Sequence, residues 1–145
     1  MKTRFIIITG IILFIVAPFG LCAQNHRYNL QKKAEKITDR YILRKLLNEP
    51  GIANKEVQML IVNFPPGSTS PAHRHPCPTF GYVLEGELES QFEGKSHLYK
   101  QGSSFYEKPN GIHSINRNNS PLKPAKLLVF FITGKGKSTS VPVKN

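Results

Sequence analysis

Short apolar segments separated by turn signals make up the central part of the chain, between residues 55 and 133. The turns are built on proline, glycine or asparagine, as in Pro65-Pro66-Gly67, Gly94-Lys95 and Gln101-Gly102. They recur at intervals too short for a helix to fit between them. Proline rarely lies within a central strand, so the first of these turns ends the strand before it. Short strands punctuated in this way predict an all-β sandwich or barrel.

Two segments show how the predicted strands are buried. In Glu87–Phe92, two glutamates and a glutamine alternate with Leu88, Ser90 and Phe92, which is typical of a strand with one buried face. The run Ala125–Thr133 is apolar almost throughout, which predicts a strand buried on both faces. Both patterns place the core of the protein within the strand-rich region.

Residues 1–23 have the three parts of a secretory signal peptide. A basic start precedes an apolar run from Phe5 to Ala17, and small residues lead to a cleavage position after Ala23. The run is shorter than the roughly 20 apolar residues that a membrane span needs. We therefore predict export to the periplasm or the medium, with no membrane insertion after cleavage. The alternatives are an uncut anchor and lipidation of Cys22, which is disfavoured because Leu21 precedes it where a small residue is usual.

The strand-rich region is flanked by two segments of different character. In residues 24–54, apolar residues recur every three to four positions as far as Leu43, which predicts an N-terminal arm that can hold one short helix. Residues 134–145 are polar and lysine-rich, which predicts a disordered basic tail. The predicted organisation is a signal peptide at 1–23, the arm at 24–54, a barrel at 55–133 and the tail.

The chain is basic, with a formal net charge of +11 that would fall to about +9 after loss of residues 1–23. The basic residues are scattered and no nucleic-acid-binding motif accompanies them, so we predict no nucleic-acid partner. Attraction to anionic envelope polymers is a weaker alternative role for this charge.

His73 and His75 carry the strongest chemical signal in the chain. Residues two apart in a strand face the same side, so these two imidazoles would stand next to each other. Imidazole suits zinc, iron, copper and nickel. His113, which follows the turn Pro109-Asn110-Gly111, is the candidate for a third ligand. A lone His-Xaa-His pair also occurs on exposed strands, so metal binding has to be judged from the residues around the pair.

That wider pattern resembles the first motif of the cupin superfamily. The motif has a glycine, five residues, a His-Xaa-His pair and, after a glutamate, a closing glycine. Gly67, His73, His75 and Gly86 stand at these positions.

The second cupin motif is also matched, with small differences in spacing. It has a glycine, a Pro-Xaa-Gly turn, a histidine and a following asparagine, to which Gly102, Pro109-Asn110-Gly111, His113 and either Asn116 or Asn118 correspond. The spacing is one residue long before the turn and one short after it. The resemblance covers residues 55–133 and implies a double-stranded β-helix, or jelly-roll barrel, with a metal site at its mouth. It also implies a homodimer.

One position departs from the cupin pattern. The family's glutamate ligand would fall at Thr79, and threonine is a poor metal ligand. A bare three-histidine site is one alternative. In another, Glu107 supplies a carboxylate from a different strand, although it could also be an exposed strand-end charge. In the third, Cys77, the only thiol once Cys22 is removed, binds as a thiolate and favours zinc or copper.

These observations predict an exported metal-binding cupin that holds one divalent ion of iron, manganese, zinc, nickel or copper on His73, His75 and His113. If the protein is an enzyme, it resembles three-histidine dioxygenases or isomerases that act on a small organic compound. Glu107 would then be a catalytic residue, as a fourth ligand or a proton carrier. The alternative is a non-catalytic periplasmic module that binds a metal or a small ligand. A closed four-ligand shell favours binding, and an open triad favours chemistry.

Overall fold

The computed structural model describes residues 35–143, and the regular structure within this range is entirely β-strand. The strands are β1 (Thr38–Leu47), β2 (Lys55–Phe64), β3 (His73–Arg74), β4 (Thr79–Glu85), β5 (Glu87–Phe92), β6 (Lys95–Lys100), β7 (Ser104–Glu107), β8 (Ile112–Arg117), β9 (Ala125–Gly134) and β10 (Val141–Pro142). Within the described part of the chain, no helix has the length and apolar character needed to cross a membrane. The predicted signal peptide lies outside the described residues.

The strands form two antiparallel sheets of five strands each. The first sheet has the order β1-β2-β9-β4-β7, and the second has the order β10-β3-β8-β5-β6. From β2 onwards the chain passes repeatedly from one sheet to the other, which is the connectivity of a double-stranded β-helix. The predicted all-β jelly-roll fold is confirmed.

Strand β9 runs through the middle of the first sheet, between β2 and β4. Its residues alternate between buried and half-buried positions along its whole length. The inward side chains Leu127, Val129 and Phe131 pack in a core with apolar residues of the neighbouring strands and of β5: Leu60, Phe64, Val83 and Leu88. Each such side chain contributes about 1.5–3 kcal/mol when fully buried. The prediction that β9 is buried on both faces was wrong, because the described residues place a second layer against its inner face only.

Residues 24–34 of the predicted N-terminal arm lie outside the described residues, and the described part, 35–54, contains a strand and no helix. Thr38–Leu47 forms β1, which pairs antiparallel with β2 along its length. The register shifts between Tyr41 and Leu43, as in a β-bulge. The spacing of four positions from Ile37 to Tyr41 fits a strand as well as a helix, because side chains two or four positions apart in a strand face the same side.

The predicted tail is also ordered over the part that the structure describes. Val141 and Pro142 pair with Arg74 and His73 of β3, and the Val143 N–H donates to the Ala72 carbonyl at 3.3 Å. Backbone hydrogen bonds supply this order, and a polar composition does not reveal them. The outer boundaries of the predicted domains stay predictions.

Candidate metal centre

The three predicted histidine ligands lie close together on the second sheet. His73 of β3 pairs directly with His113 of the neighbouring strand β8. His75 follows two residues after His73, just beyond the end of β3. One ring nitrogen from each histidine lies within 4.8 Å of the other two. The fold therefore places side by side residues that are separated by about forty positions in the sequence.

Hydrogen bonds to backbone carbonyls fix the orientation of two of these rings. The Nδ1 of His73 donates to the Pro71 carbonyl at 2.8 Å, and the Nδ1 of His75 donates to the Thr139 carbonyl at 2.6 Å. A carbonyl oxygen can only accept, so Nδ1 carries the hydrogen in both rings and Nε2 of the neutral ring has a lone pair. Metal-binding histidines are usually held in this way by partners behind them.

The two Nε2 atoms oriented by these bonds lie 3.2 Å apart. With both rings neutral, no hydrogen lies between them and two lone pairs face each other. Burial lowers the pKa of both His73 and His75, which opposes a proton in this position. Ligand atoms bound at 2.0–2.2 Å from one ion and separated by roughly a right angle are about 3 Å apart. A metal cation therefore satisfies both lone pairs at the observed spacing.

His113 and Glu107 add two further buried atoms to this group. His113 Nε2 lies 3.0 Å from Ser90 Oγ, which leaves Nδ1 facing Glu107 Oε1 at 3.2 Å. The second oxygen of Glu107 lies 3.8 Å from His75 Nε2. Neither His113 Nδ1 nor Glu107 Oε1 has a well-aligned hydrogen-bond partner within residues 35–143. Buried polar atoms are rarely left unpaired, so these two also fit the donor set of a metal ion.

Glu107 brings a carboxylate close to the histidines, although the family's glutamate position is occupied by Thr79. Thr79 pairs with Glu107 across β4 and β7, so the two residues stand at facing positions in the first sheet. Thr79 Oγ1 donates to the Cys77 carbonyl at 3.2 Å. Glu107 is only 3% exposed, so the reading of it as an exposed strand-end charge was wrong. A carboxylate therefore reaches the histidines from the strand next to the one on which cupins usually carry it.

Cys77 lies apart from the histidine group. Its side chain is buried and lines a separate cavity with Pro76, Pro78 and Thr133. Burial raises the pKa of the thiol, which disfavours the thiolate that metal binding needs. Of the three alternatives for the remaining ligand, the geometry favours Glu107 or an open position.

The histidines and Glu107 face a cavity of about 340 Å³ between the two sheets. Four further residues shape this site, and of these only Asn116 was connected with it from the sequence, as one of two candidates for the asparagine of the second cupin motif. Ser70 and Asn116 line the cavity, Ser90 contacts His113, and Thr139 positions His75. Ser70 lies in the same segment as the first two histidines, which is a weak signal. The polar tail around Thr139 contains none.

The tail makes a testable contribution to the site through the Thr139 carbonyl. We expect deletion of residues 136–145 to weaken metal binding by about 10- to 100-fold, because losing a partner behind a metal-binding histidine has this effect. Titration with zinc against a competing chelator measures the change. Deletion of residues 144–145 alone is the control, since it leaves the bond between His75 and Thr139 intact. Equal affinity of the two shortened proteins would contradict the expected role.

Known proteins share this architecture. The family described as Cupin domain matches residues 60–131. No curated protein matches the chain.

Solved structures resemble the chain at low sequence identity. The DMSP lyase DddQ from Ruegeria pomeroyi is 21% identical with a TM-score of 0.58, over 78% of this chain and 54% of that one. A conserved protein with a double-stranded β-helix domain from Klebsiella pneumoniae is 20% identical with a TM-score of 0.58, over 76% and 86%. An oxalate oxidase bound to the substrate analogue glycolate is 24% identical with a TM-score of 0.57, over 78% and 61%. These similarities show the fold. The chain covers only 54% of the lyase and 61% of the oxidase.

Proposed function

This chain belongs to the cupin family, and on that basis we propose that it is an exported metal-dependent oxidoreductase of the dioxygenase type that acts on a small organic compound. One divalent ion of iron, manganese or copper is held by His73, His75 and His113. The observation that carries the proposal is the pair of Nε2 atoms 3.2 Å apart, each on a ring whose Nδ1 already donates to a carbonyl. Such a pair needs a cation between its members.

The residues around the ion have different roles. A bound ion of this kind supplies redox or Lewis-acid chemistry at positions that the protein leaves open. The three imidazoles hold the ion, and the carbonyls behind His73 and His75 keep two of them aligned. Glu107 adds a negative charge beside His113, as a fourth ligand or as the group that takes a proton from the substrate. The apolar walls of the cavity keep water away from the reacting atoms.

A metal or small-ligand binding module without catalysis is the second candidate function. The contacts of Glu107 with His113 and His75 favour it, because a carboxylate at this place can close a four-ligand shell. Structural metal sites are closed, whereas catalytic sites keep a position free. One solved neighbour, the oxalate oxidase, supports the first candidate by its name.

Metal content and oxygen uptake test the two candidates together. The protein is purified without a histidine tag from an exporting host and analysed for transition metals. About one equivalent of iron, manganese or copper, with oxygen uptake dependent on an added small compound, supports the oxidoreductase. One equivalent of zinc without oxygen uptake supports the binding module. Metal-free protein that takes up no metal on titration overturns the oxidoreductase and a metal-binding module, and leaves only a module that binds a small ligand.

Export rests on the signal-like segment at residues 1–23. Its basic start and apolar run support cleavage near Ala23, and N-terminal sequencing of protein from the periplasm or the medium identifies the cut. A mature chain that still begins at Met1 would contradict the proposal.

A homodimer is proposed from the family resemblance and from the edge of the first sheet. The edge strand β1 exposes Tyr41, Ile42 and Leu43, each by more than 40% of its surface. Exposed edge strands carry unpaired backbone groups that pair readily with a second chain. The molar mass in solution distinguishes a dimer from a monomer.

A further inference from the structure

We infer that the outer face of the first sheet, the side turned away from the cavity, is a docking surface for an anionic phospholipid bilayer. The protein lies on the bilayer through this face and does not span it. The inference is independent of the metal site and of the ligand that the cavity takes.

The first argument is a continuous apolar row across the outer face. The strand registers place one outward residue of each strand beside that of the next: Leu43, Met59, Phe130, Phe80 and Tyr106. These positions alternate with positions that face the core, so their side chains point outward. Neighbouring strands lie about 4.8 Å apart, so the row is about 20 Å long. The rows on either side of it are apolar in the middle of the sheet: Val57 and Ile132, and Ile61, Leu128 and Tyr82.

Aromatic rings on β4 and β7 are the most exposed part of this face. Phe80, Tyr82 and Tyr106 are 40%, 44% and 55% exposed. The ring of Phe80 lies 5.2 Å from that of Tyr106 and 5.9 Å from that of Phe130, so these rings form one patch. Single exposed apolar residues are ordinary, whereas a contiguous patch marks an interaction surface. Aromatic rings suit the boundary between lipid headgroups and acyl chains.

The second argument is the charge around the apolar row. Four outward positions of the same strands are basic: Arg40, Lys45, Lys55 and Lys126. Glu85 is the only acidic residue at the outward positions of these five described strands, and it forms an ion pair with Lys126 at 3.0 Å. The other three basic residues form no ion pair within residues 35–143. An apolar patch with a basic rim is complementary to anionic lipid.

The same charge argues against a second copy of the chain as the occupant of this face. In a two-fold symmetric dimer the same patch meets itself, so the basic rim would face a basic rim. Antiparallel pairing of β1 with β1 of a second chain, as in the proposed homodimer, uses the edge of the sheet instead. It leaves the two outer faces on the same side, where both can contact one bilayer.

Binding to vesicles of two compositions tests the inference. The purified chain is sedimented with vesicles of equal parts phosphatidylglycerol and phosphatidylcholine, and with vesicles of phosphatidylcholine alone. We expect at least about ten-fold tighter binding to the anionic vesicles, because each basic residue near an anionic surface contributes about five-fold. Equal binding to both compositions, or binding to neither, overturns the inference.

Two double variants with the same net charge separate this face from the charge of the whole chain. Lys45→Glu with Lys55→Glu reverses two charges of the rim, and we expect it to weaken binding to anionic vesicles by at least about ten-fold. Lys95→Glu with Lys100→Glu is the control, because both lysines are exposed on β6 of the second sheet. We expect the control to weaken binding by less than about three-fold, since its charges lie away from the bilayer. Equal weakening would mean that total charge attracts the chain without a preferred face, and would overturn the inference.

The Tyr106→Ser variant tests the apolar contact and the identity of the occupant. We expect five- to ten-fold weaker binding to anionic vesicles, about the effect of losing one partly buried aromatic ring. Leu98→Ser is the control, because Leu98 is 51% exposed on β6 of the second sheet, and its binding should be unchanged. Equal binding of both variants overturns the apolar contact. Sedimentation velocity without vesicles gives the oligomeric state, and a dimer that dissociates only in Tyr106→Ser would place a second copy on this face and overturn the bilayer as its occupant.

Discussion

Replacing His75 by alanine removes the bound metal, whereas replacing His97 by alanine leaves it in place. We expect the metal content of His75→Ala to fall from about one equivalent to less than a tenth. The loss of metal affinity should exceed 10- to 100-fold, which is the effect of removing a residue that only positions a ligand. His75 offers an oriented Nε2 that lies 3.2 Å from that of His73, so its loss leaves His73 and His113 as the only histidine ligands of the proposed site. Elemental analysis after gel filtration measures the content.

The control residue His97 is exposed on β6 and does not line the cavity that the three candidate ligands face. His73→Ala is a second test, because it removes the other Nε2 of the close pair. We expect both site variants to keep the circular dichroism spectrum of a β-protein, since the apolar core does not depend on the ion. Metal retained by both variants would refute the proposed centre. Loss of the fold in both would instead mean that the metal is structural and would weaken the case for an enzyme.

Replacing Gly86 by alanine lowers the free energy of unfolding by about 3 kcal/mol. Gly86 lies between β4 and β5 with φ of +73°, and a Cβ there would lie 2.8 Å from the Pro124 carbonyl oxygen and 3.0 Å from Ala125 Cβ. The left-handed conformation costs an L-residue about 1–2 kcal/mol, and crowding in a packed region adds about 1–3 kcal/mol. Urea unfolding followed by circular dichroism measures the loss.

Gly94→Ala is the matched control for this substitution. Gly94 has a similar φ of +77° but nothing within 4 Å of the added Cβ. It therefore isolates the conformational cost, and we expect a loss of only about 1–2 kcal/mol. If both variants lost the same stability, crowding of the added Cβ against Pro124 and Ala125 would not contribute to the loss in free energy of unfolding.

The chain's local patterns determined much of this protein. The turns that separate the strands predicted an all-β barrel, and the alternation in Glu87–Phe92 separated Leu88 and Ser90, which are buried, from the half-buried Glu87, Glu89 and Gln91. The His-Xaa-His pair and the later histidine, with glycines at the motif positions, identified the residues that the fold brings within 4.8 Å. These features can be predicted from the sequence because hydrophobic periodicity, turn residues and motif spacing all depend on residues that are close together in the chain.

The tertiary structure alone decided the rest. Thr79 faces Glu107, and the Thr139 carbonyl reaches His75 across 64 positions of sequence. The sequence predicted a short helix where β1 lies and a disordered tail where β10 lies. Each of these features depends on which strands pair and in which register. Pairing between distant strands is set by the packing of the whole barrel, so no local pattern contains it.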